Sequence, residues 1–209
     1  MQEHYFSENP LGISNLGKLH DVPVVVRGRS LVLKSSPKVF STSSLDLGTA
    51  QLLAKAPSLP KTGTFLDLGC GWGPVAVTMA LDSPDATVWA VDVNERALAL
   101  TRLNCRAEGV DNVVVFPADE ALRRARDEGT RFDVIWSNPP IRVGKEALHD
   151  LLLDWLGLLA DGGHAYLVVN RNLGADSLAV WLRGQGFAVD KLASRKGFRI
   201  LDVSSGGDN

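Results

Sequence analysis

The sequence has few of the residues that mark secreted, metal-binding or membrane-spanning proteins. Its 209 residues include two cysteines and four histidines. Cys70 and Cys105 have the spacing of neither a disulfide framework nor a metal site, and the histidines form no cluster, so we expect a reducing environment and no metal. The most apolar helical stretch, LLLDWLGLLA, is short and interrupted by Asp154, and the amino terminus lacks a basic segment followed by an apolar one. These absences predict a soluble, cytoplasmic protein that is neither exported nor inserted in a membrane.

Charge of one sign is also scarce, because the formal net charge is −2. A chain with this balance has no overall attraction to polyanions, so any binding to nucleic acid must come from a local basic patch. The length and the 45% hydrophobic content are sufficient for one substantial core and predict a single domain.

From about residue 63 onward, short apolar runs alternate with longer stretches at helical spacing. The runs are TFLDLG (64–69), TVWAVD (87–92), VVVFPAD (113–119), FDVIWS (132–137) and HAYLVV (164–169). The predicted helices span 74–81, 94–108, 120–127, 145–159 and 176–184. Runs that are apolar on both faces are typical of central strands in a parallel sheet. The alternation predicts a doubly wound α/β fold with right-handed crossovers, whose ligands bind at the carboxyl ends of the strands.

Further elements flank this α/β core on both sides. Residues 22–36 predict a β-hairpin that turns near Gly28, and residues 44–56 predict a helix. Residues 187–205 predict two strands joined by a short basic turn, and so short a connection makes them antiparallel. The expected architecture is therefore a Rossmann-like, seven-stranded sheet with an antiparallel last strand and an N-terminal hairpin.

The segment LDLGCGWGP places three glycines directly after the first strand and before a helix. Of Gly69, Gly71 and Gly73, we expect one to form the tight turn, one to let a ligand lie against bare backbone, and one to allow close helix packing. The amino terminus of the following helix favours a carboxylate or phosphate ligand. The alternative is that the three glycines only form a sharp turn and bind no ligand. Pro74 stands where a dinucleotide-binding fingerprint has its last glycine, which argues against NAD and favours S-adenosylmethionine.

An acidic residue lies in or at the end of each of the first three predicted strands. Asp92 is placed to accept two hydrogen bonds from a ribose diol, or alternatively to cap the next helix. Asp119 is placed to accept from an adenine amino group, with helix capping again the alternative. Asp67 lies inside the first strand, where an unpaired carboxylate is costly, so we expect it to orient the glycine turn or the ammonium group of a cofactor.

The segment SNPPIRVGK follows the fourth strand, so Asn138 should project toward the same edge of the sheet. Pro139 and Pro140 restrict the backbone and supply no N–H group, which makes the site rich in acceptors. The Asn138 side-chain oxygen and the Pro139 carbonyl oxygen are then free to accept both hydrogens of one amine. Two rigid acceptors would localise the amine lone pair and aim it at a sulfonium methyl group. The alternative is an ordinary turn after a strand.

The ordered segments LDLGCGWGP, VDVNERAL and SNPPIRVGK resemble class I S-adenosylmethionine-dependent methyltransferases with an N-P-P-x motif. The sequence looks most like the small-domain type that includes the small-subunit ribosomal RNA guanine-N2 methyltransferases. Further similar segments are HYFSENP (4–10), VFSTSSLDLGTAQLL (39–53) and RKGFRI (195–200), so the resemblance covers nearly the whole chain. It implies a methyltransferase domain over 61–205, a hairpin and cofactor-covering helix over 1–60 in the same unit, and a frayed tail over 206–209.

The resemblance also implies the site residues, position by position. Those implied to hold S-adenosylmethionine are Asp67, Gly69, Cys70, Gly71, Gly73, Asp92, Val93, Asp119 and Asn138. Those implied to hold the target amine, and so to be catalytic, are Asn138, Pro139, Pro140 and Ile141. Phe40, Ser41, Asp46 and Thr49 are implied to close over the cofactor, with helix entry and core packing as their alternative role.

Ile141 departs from the family pattern, since many amine methyltransferases have an aromatic residue there that stacks on the target base. Stacking must then come from elsewhere or be replaced by apolar packing; Phe198 is a candidate for it, although core packing is the commoner role of such a residue. The candidate phosphate contacts are Arg142, Lys145, Arg171, Arg195 and Lys196, with Arg199 beside them. These cations form either a basic rim around the site or a scatter of solvated charges.

The expected reaction is methylation of a guanine N2 amine in structured RNA or in the ribosomal small subunit. The alternatives are the same chemistry on adenine N6 or on a protein glutamine amide, and an RNA-binding module without turnover. An NAD-dependent oxidoreductase is less favoured than any of these.

Overall fold

A computed structural model describes residues 16–37 and 44–206. The strands in these residues are β1 (His20–Val26), β2 (Arg29–Ser35), β3 (Thr64–Leu68), β4 (Thr87–Asp92), β5 (Val113–Pro117), β6 (Phe132–Ser137), β7 (Leu159–Asn170), β8 (Phe187–Arg195) and β9 (Phe198–Ser205). The α-helices are α1 (Leu47–Lys55), α2 (Pro74–Asp82), α3 (Glu95–Ala107), α4 (Ala118–Asp127), α5 (Lys145–Leu156) and α6 (Ala175–Gly184).

Seven strands form one sheet in the order β5-β4-β3-β6-β7-β9-β8. The strands from β3 to β7 pair in parallel, whereas β9 is antiparallel to both β7 and β8. Together with the separate β1–β2 hairpin, this order confirms the predicted Rossmann-like architecture. The winding reverses between β3 and β6, so a crevice is expected at the carboxyl ends of these two strands.

Both faces of the sheet are buried, because successive side chains of each strand point to opposite sides. In β3, Phe65 belongs to a core cluster with α1, α2, α3 and the hairpin. The next residue, Leu66, belongs to the cluster formed with α4, α5 and α6. This is the two-faced burial that the continuous apolar runs predicted.

The hairpin packs against the helical layer of the first cluster. It turns at Arg27 and Gly28, whose φ angles of 47° and 79° suit a two-residue turn. Arg27 forms an ion pair with Asp82 of α2 and donates to the carbonyl of Ala56, at the end of α1, over 3.0 Å. The Asn104 amide of α3 accepts from the Lys34 N–H (2.7 Å) and donates to the Lys34 carbonyl (2.9 Å). The hairpin is therefore fastened to three helices by polar contacts as well as by its apolar face.

Several boundaries differ from those predicted, most clearly at β5, α4, α5 and β7. The strand β5 ends at Pro117 and α4 begins at Ala118, since proline cannot donate to the next ladder bond. The helix α5 ends at Leu156, directly before Gly157, three residues short of the prediction. Strand β7 begins at Leu159 rather than at 164, with an irregular register in which Gly162 has a φ of 72°.

No helix within residues 16–37 and 44–206 is long and apolar enough to cross a membrane. The same residues contain no group of three or more histidine, cysteine, aspartate or glutamate side chains arranged to hold a metal ion.

Candidate active site

A cavity of about 600 Å³ opens at the carboxyl ends of β3, β4 and β6. Its walls come from the glycine turn after β3, from the Asn-Pro-Pro segment after β6, and from the first residue of β9. A smaller recess of about 50 Å³ lies between the start of α1 and the glycine turn. The cavity and the recess are parts of one site, because they share four lining residues: Asp46, Gly69, Gly71 and Asn138.

The glycine turn needs all three of its glycines. The φ angles of Gly69, Gly71 and Gly73 are 80°, 57° and 93°, which place all three in the left-handed region that side chains disfavour. A Cβ atom at Gly69 or Gly71 would meet no atom within 4 Å, whereas one at Gly73 would lie 3.0–3.1 Å from Thr101 of α3. The first two glycines therefore leave bare backbone at the cavity, and the third allows α3 to pack closely.

Asp92 holds the glycine turn in place from the end of β4. Its Oδ2 accepts from the Gly71 N–H and its Oδ1 from the Asn94 N–H, each over 2.9 Å. The N-cap of α3 is Asn94, so the alternative that Asp92 caps this helix is wrong. Each carboxylate oxygen has a further lone pair with which to accept from a ligand. Beside it, the side chain of Val93 is 89% exposed and contributes apolar surface to the cavity.

Asp67 contacts the start of α2, directly after the glycine turn. Its Oδ2 accepts from the Ala76 N–H over 2.9 Å, in the first turn of α2, whose N-cap residue Gly73 has no side chain. Burial raises the pKa of the Asp67 carboxyl to about 8; the Ala76 hydrogen bond opposes this rise and the negative Asp92 adds to it. Burial likewise raises the pKa of the neighbouring Cys70 thiol, which remains neutral.

Asn138 lies where the cavity and the recess meet. Its side-chain Nδ2 donates to Asp46 Oδ2 over 2.7 Å and to Thr49 Oγ1 over 3.1 Å. The same Asp46 oxygen accepts from the Thr49 N–H over 3.0 Å and so serves as the N-cap of α1. Asp46 and Thr49 therefore have the helix-entry role that was their alternative, together with a contact to Asn138 that the sequence did not indicate. Their closing over the cofactor stays a prediction.

The sequence predicted a free Pro139 carbonyl, but in the structure this carbonyl accepts from the Ile141 N–H over 2.9 Å. A carbonyl oxygen has two lone pairs, so one remains for a ligand. Ile141 begins a short 3-10 turn (Ile141–Val143), is half-buried against the second core cluster, and lines the cavity. Pro140, also at the cavity, is exposed.

Phe198 forms part of the wall on the side of β9. It pairs with Asn170 at the end of β7, and both residues line the cavity. A Cβ atom at Gly48 of α1 would lie 3.0 Å from Phe198 Cε1, so the ring packs against the first turn of that helix. Phe198 is thus both a cavity residue and a half-buried neighbour of the first core cluster. Asn170 and the half-exposed Leu173 also line the cavity; sequence reasoning missed them, although both follow a predicted strand.

The predicted cations form two groups, one directly after β6 and the other at the turn after β7 and the β8–β9 turn. Arg142 lines the cavity, and the exposed Lys145 follows it at the start of α5. The Arg171 N–H donates to the Gly197 carbonyl over 2.8 Å, which brings the turn after β7 against the β8–β9 turn that contains Lys196. Arg195 belongs to the same second group, since it is exposed and pairs with Phe198 across the β8–β9 hairpin. Arg199 differs from all of these, because it forms an ion pair with Asp176 of α6.

The sequence predicted that Asp119 ends a strand, and this prediction is wrong. Asp119 is exposed in the first turn of α4, the N-cap of that helix is Pro117, and the cavity is lined by the preceding residue, Ala118. Its role toward an adenine stays a prediction. Phe40 and Ser41, predicted to close over the cofactor, lie outside the described residues.

Comparison with known proteins gives one family. The family model described as Methyltransferase small domain matches residues 30–202. YbxB of Bacillus subtilis (strain 168), described as uncharacterized, is 32% identical over 201 residues, which cover 96% of this chain and 98% of YbxB. The ribosomal RNA small subunit methyltransferase C of Pseudomonas entomophila (strain L48) is 34% identical over 180 residues, covering 84% of this chain and 52% of that protein. The chain thus spans about half the length of this second relative.

A solved structure agrees with the fold. The T. thermophilus 16S rRNA N2 methyltransferase RsmC, in complex with AdoMet and guanosine, matches with a TM-score of 0.75 at 23% identity. The match covers 90% of this chain and 50% of that one. At this identity the likeness establishes the architecture of the sheet and its surrounding helices.

Proposed function

The chain belongs to the methyltransferase small domain family, and from that premise we propose that it methylates the exocyclic N2 amine of a guanine in structured, small-subunit ribosomal RNA. S-adenosylmethionine is the methyl donor of the family and supplies an activated methyl group on a sulfonium. The observation that supports the proposal most is the side chain of Asn138, whose nitrogen is engaged by Asp46 and Thr49.

The residues at the glycine turn fit this cofactor. Gly69 and Gly71 offer bare backbone, and Asp92 offers carboxylate lone pairs to a ribose diol at the same wall of the cavity. The exposed side chain of Val93 suits the apolar face of an adenine. Asp67 lies at the small recess, where the positive charge of an ammonium group would favour its ionised form over the neutral one.

The residues after β6 fit an amine rather than a hydroxyl or carbonyl group. With its nitrogen held by Asp46 and Thr49, the planar amide of Asn138 presents Oδ1 on the opposite side, as an acceptor. The remaining lone pair of the Pro139 carbonyl is the second acceptor. Two fixed acceptors bind the two hydrogens of one amine and turn its lone pair toward the methyl group, so catalysis comes from positioning in a preorganised site.

Three observations support a guanine of ribosomal RNA as the substrate. The named relative is a ribosomal RNA methyltransferase, and the similar solved structure holds guanosine. The apolar side chains of Ile141 and Phe198 provide walls against which a base can pack, in place of the aromatic residue that the family resemblance led us to expect at position 141. The exposed cations at the rim supply phosphate contacts despite the nearly neutral net charge.

The test is to incubate the protein with labelled S-adenosylmethionine and small ribosomal subunits that lack methyl groups, and to map the modified nucleoside by mass spectrometry. We expect N2-methylguanine at one position. We expect Asn138→Ala to lower single-turnover methylation by roughly 10²–10³ while cofactor affinity is kept, as for loss of one preorganised hydrogen bond. The matched control is Gln185→Ala, which removes an exposed amide after α6 and should leave the rate unchanged.

Other products would replace the proposed substrate. N6-methyladenine or methylated glutamine in the same mass spectra would keep the chemistry and change the acceptor. Tight binding of the cofactor and the ribosomal subunit without any methyl transfer would instead indicate an RNA-binding module. Wild-type turnover by Asn138→Ala would remove Asn138 from the mechanism.

A further inference from the structure

We propose that Asp46 and Thr49 are positioning residues that fix the Asn138 side-chain amide with its oxygen toward the substrate. The proposal rests on the function proposed for Asn138 as an acceptor for the target amine. It assigns to the start of α1 a part in catalysis that is separate from any contact with the cofactor.

The three side chains form a closed set of hydrogen bonds. The Asn138 nitrogen has two hydrogens, and its two partners are Asp46 Oδ2 at 2.7 Å and Thr49 Oγ1 at 3.1 Å. The Thr49 hydroxyl has one hydrogen, which it donates to Asp46 Oδ2 over 3.4 Å, so its lone pairs remain for the amide. Both amide hydrogens are thereby engaged, which leaves Oδ1 as the part of Asn138 that a ligand can use.

The carboxylate makes this orientation selective. The two ends of an asparagine amide are nearly equal in shape, and its terminal torsion has two comparable wells. An ionised carboxylate only accepts hydrogen bonds, so the flipped amide would place its oxygen against Asp46 Oδ2 and its hydrogens toward the target amine. Both contacts would then be mismatched, one between two acceptors and one between two donors. Asp46 therefore excludes the orientation that cannot bind an amine.

Close packing keeps the set in place, and Gly48 makes that packing possible. A Cβ atom at Gly48 would lie 3.0 Å from Asp46 Oδ2, 3.0 Å from Phe198 Cε1 and 3.3 Å from Asn138 Nδ2. The absence of a side chain at this position is what lets the amide, the carboxylate and the aromatic ring approach the first turn of α1. The segment LDLG thus supplies the N-cap, the space and, with the threonine that follows, the second hydrogen-bond acceptor.

Two pairs of variants separate positioning from the stability of α1. Asp46→Ser keeps a hydroxyl N-cap but is too short to hold Asn138 as well, whereas Asp46→Asn keeps an oxygen of the same reach. Thr49→Val removes the hydroxyl at nearly constant volume, whereas Thr49→Ser keeps it. Melting temperatures verify that each variant is folded before its activity is compared.

The direct measurement is hydrogen exchange of the Asn138 side-chain amide by NMR, with its signals identified by their loss in Asn138→Ala. We expect exchange to be at least about 10-fold faster in Asp46→Ser and Thr49→Val, because the amide hydrogens lose their partners. Turnover should fall by about 10- to 100-fold in Asp46→Ser, as for loss of a hydrogen bond to a charged group. Asp46→Asn and Thr49→Ser should recover most of the rate, and cofactor affinity should change less than turnover.

A double variant shows whether Asp46 acts through Asn138. Asp46→Ser combined with Asn138→Ala should turn over no more slowly than Asn138→Ala alone, since the positioning residue then has no amide to orient. Losses that add in the double variant, or Asn138 exchange that is unchanged in Asp46→Ser and Thr49→Val, would overturn the proposal. If Asn138→Ala itself retained wild-type turnover, the proposed function would fail instead, and the exchange rates would still report whether Asp46 and Thr49 orient the amide.

Discussion

Gly73→Ala should destabilise the protein more than Gly71→Ala, although both glycines belong to the same turn and both have positive φ angles. An alanine in the left-handed region costs about 1–2 kcal/mol at either position. At Gly73 the new Cβ atom would also lie 3.1 Å from the Thr101 Cα, which belongs to the backbone of α3 and cannot rotate away. Overpacking of this kind costs about 1–3 kcal/mol more. We therefore expect a loss of about 2–5 kcal/mol for Gly73→Ala and about 1–2 kcal/mol for Gly71→Ala.

Cofactor affinity should rank the same two variants in the opposite order. A Cβ atom at Gly71 would meet no protein atom within 4 Å, but it would stand at the cavity wall where we propose that S-adenosylmethionine lies. Gly71→Ala should therefore lose more cofactor affinity than stability, and Gly73→Ala more stability than affinity.

Urea unfolding followed by circular dichroism gives the free energy of unfolding, and calorimetry gives the affinity for S-adenosylmethionine. Equal destabilisation of the two variants would show that the contact with Thr101 is relieved at no cost. Unchanged affinity in Gly71→Ala would show that the cofactor does not approach this backbone.

Three further outcomes are expected. Asp92→Ala should weaken S-adenosylmethionine binding by about 1.5–3 kcal/mol in calorimetry, the loss expected for hydrogen bonds to a charged group, and an unchanged affinity would contradict the ribose contact. The raised pKa of Asp67, about 8 against an ordinary 3.8, means that the folded protein retains a proton that the unfolded chain releases. Its contribution to stability is therefore fully present below pH 3.8 and is lost as the pH rises through 8, with a slope of at most about 1.4 kcal/mol per pH unit. Asp67→Asn should flatten this decline in urea unfolding series, and an unaltered slope would place the titration elsewhere. If the exposed cations contact phosphates, Arg171→Ala and Lys196→Ala should each weaken RNA binding. Each should also reduce the slope of log K against log[salt] by about one, as measured by filter binding.

Much of the fold could be predicted because its signals are local. The alternation of apolar runs and helical stretches after residue 63 depends only on neighbouring side chains, and the antiparallel final pair follows from the short turn between β8 and β9. The errors were also local in origin. Proline at 117 ended β5 two residues early, which moved Asp119 from a strand end into the first turn of α4.

The residues of the candidate site were predictable for a similar reason. Three of these residues lie in or directly after strands that are neighbours in the sheet: Asp67 in β3, Asp92 in β4 and Asn138 after β6. The carboxyl ends of neighbouring parallel strands meet at one edge of the sheet. Position in the sequence did not reveal the partners of these residues. Asp92 holds the Gly71 N–H, and the Pro139 carbonyl is engaged by its own turn.

The sequence by itself determined the order of strands and helices, the glycine turn and the acceptor-rich segment after β6, because each is encoded by residues close together in the chain. Only the tertiary structure decided which way the Asn138 amide faces. Its partner Asp46 is 92 residues away in sequence, and the two meet because α1 packs over the carboxyl end of β6 with Gly48 leaving room for them. A hydrogen bond across that separation depends on how the whole chain folds, so no local pattern in the sequence could show it.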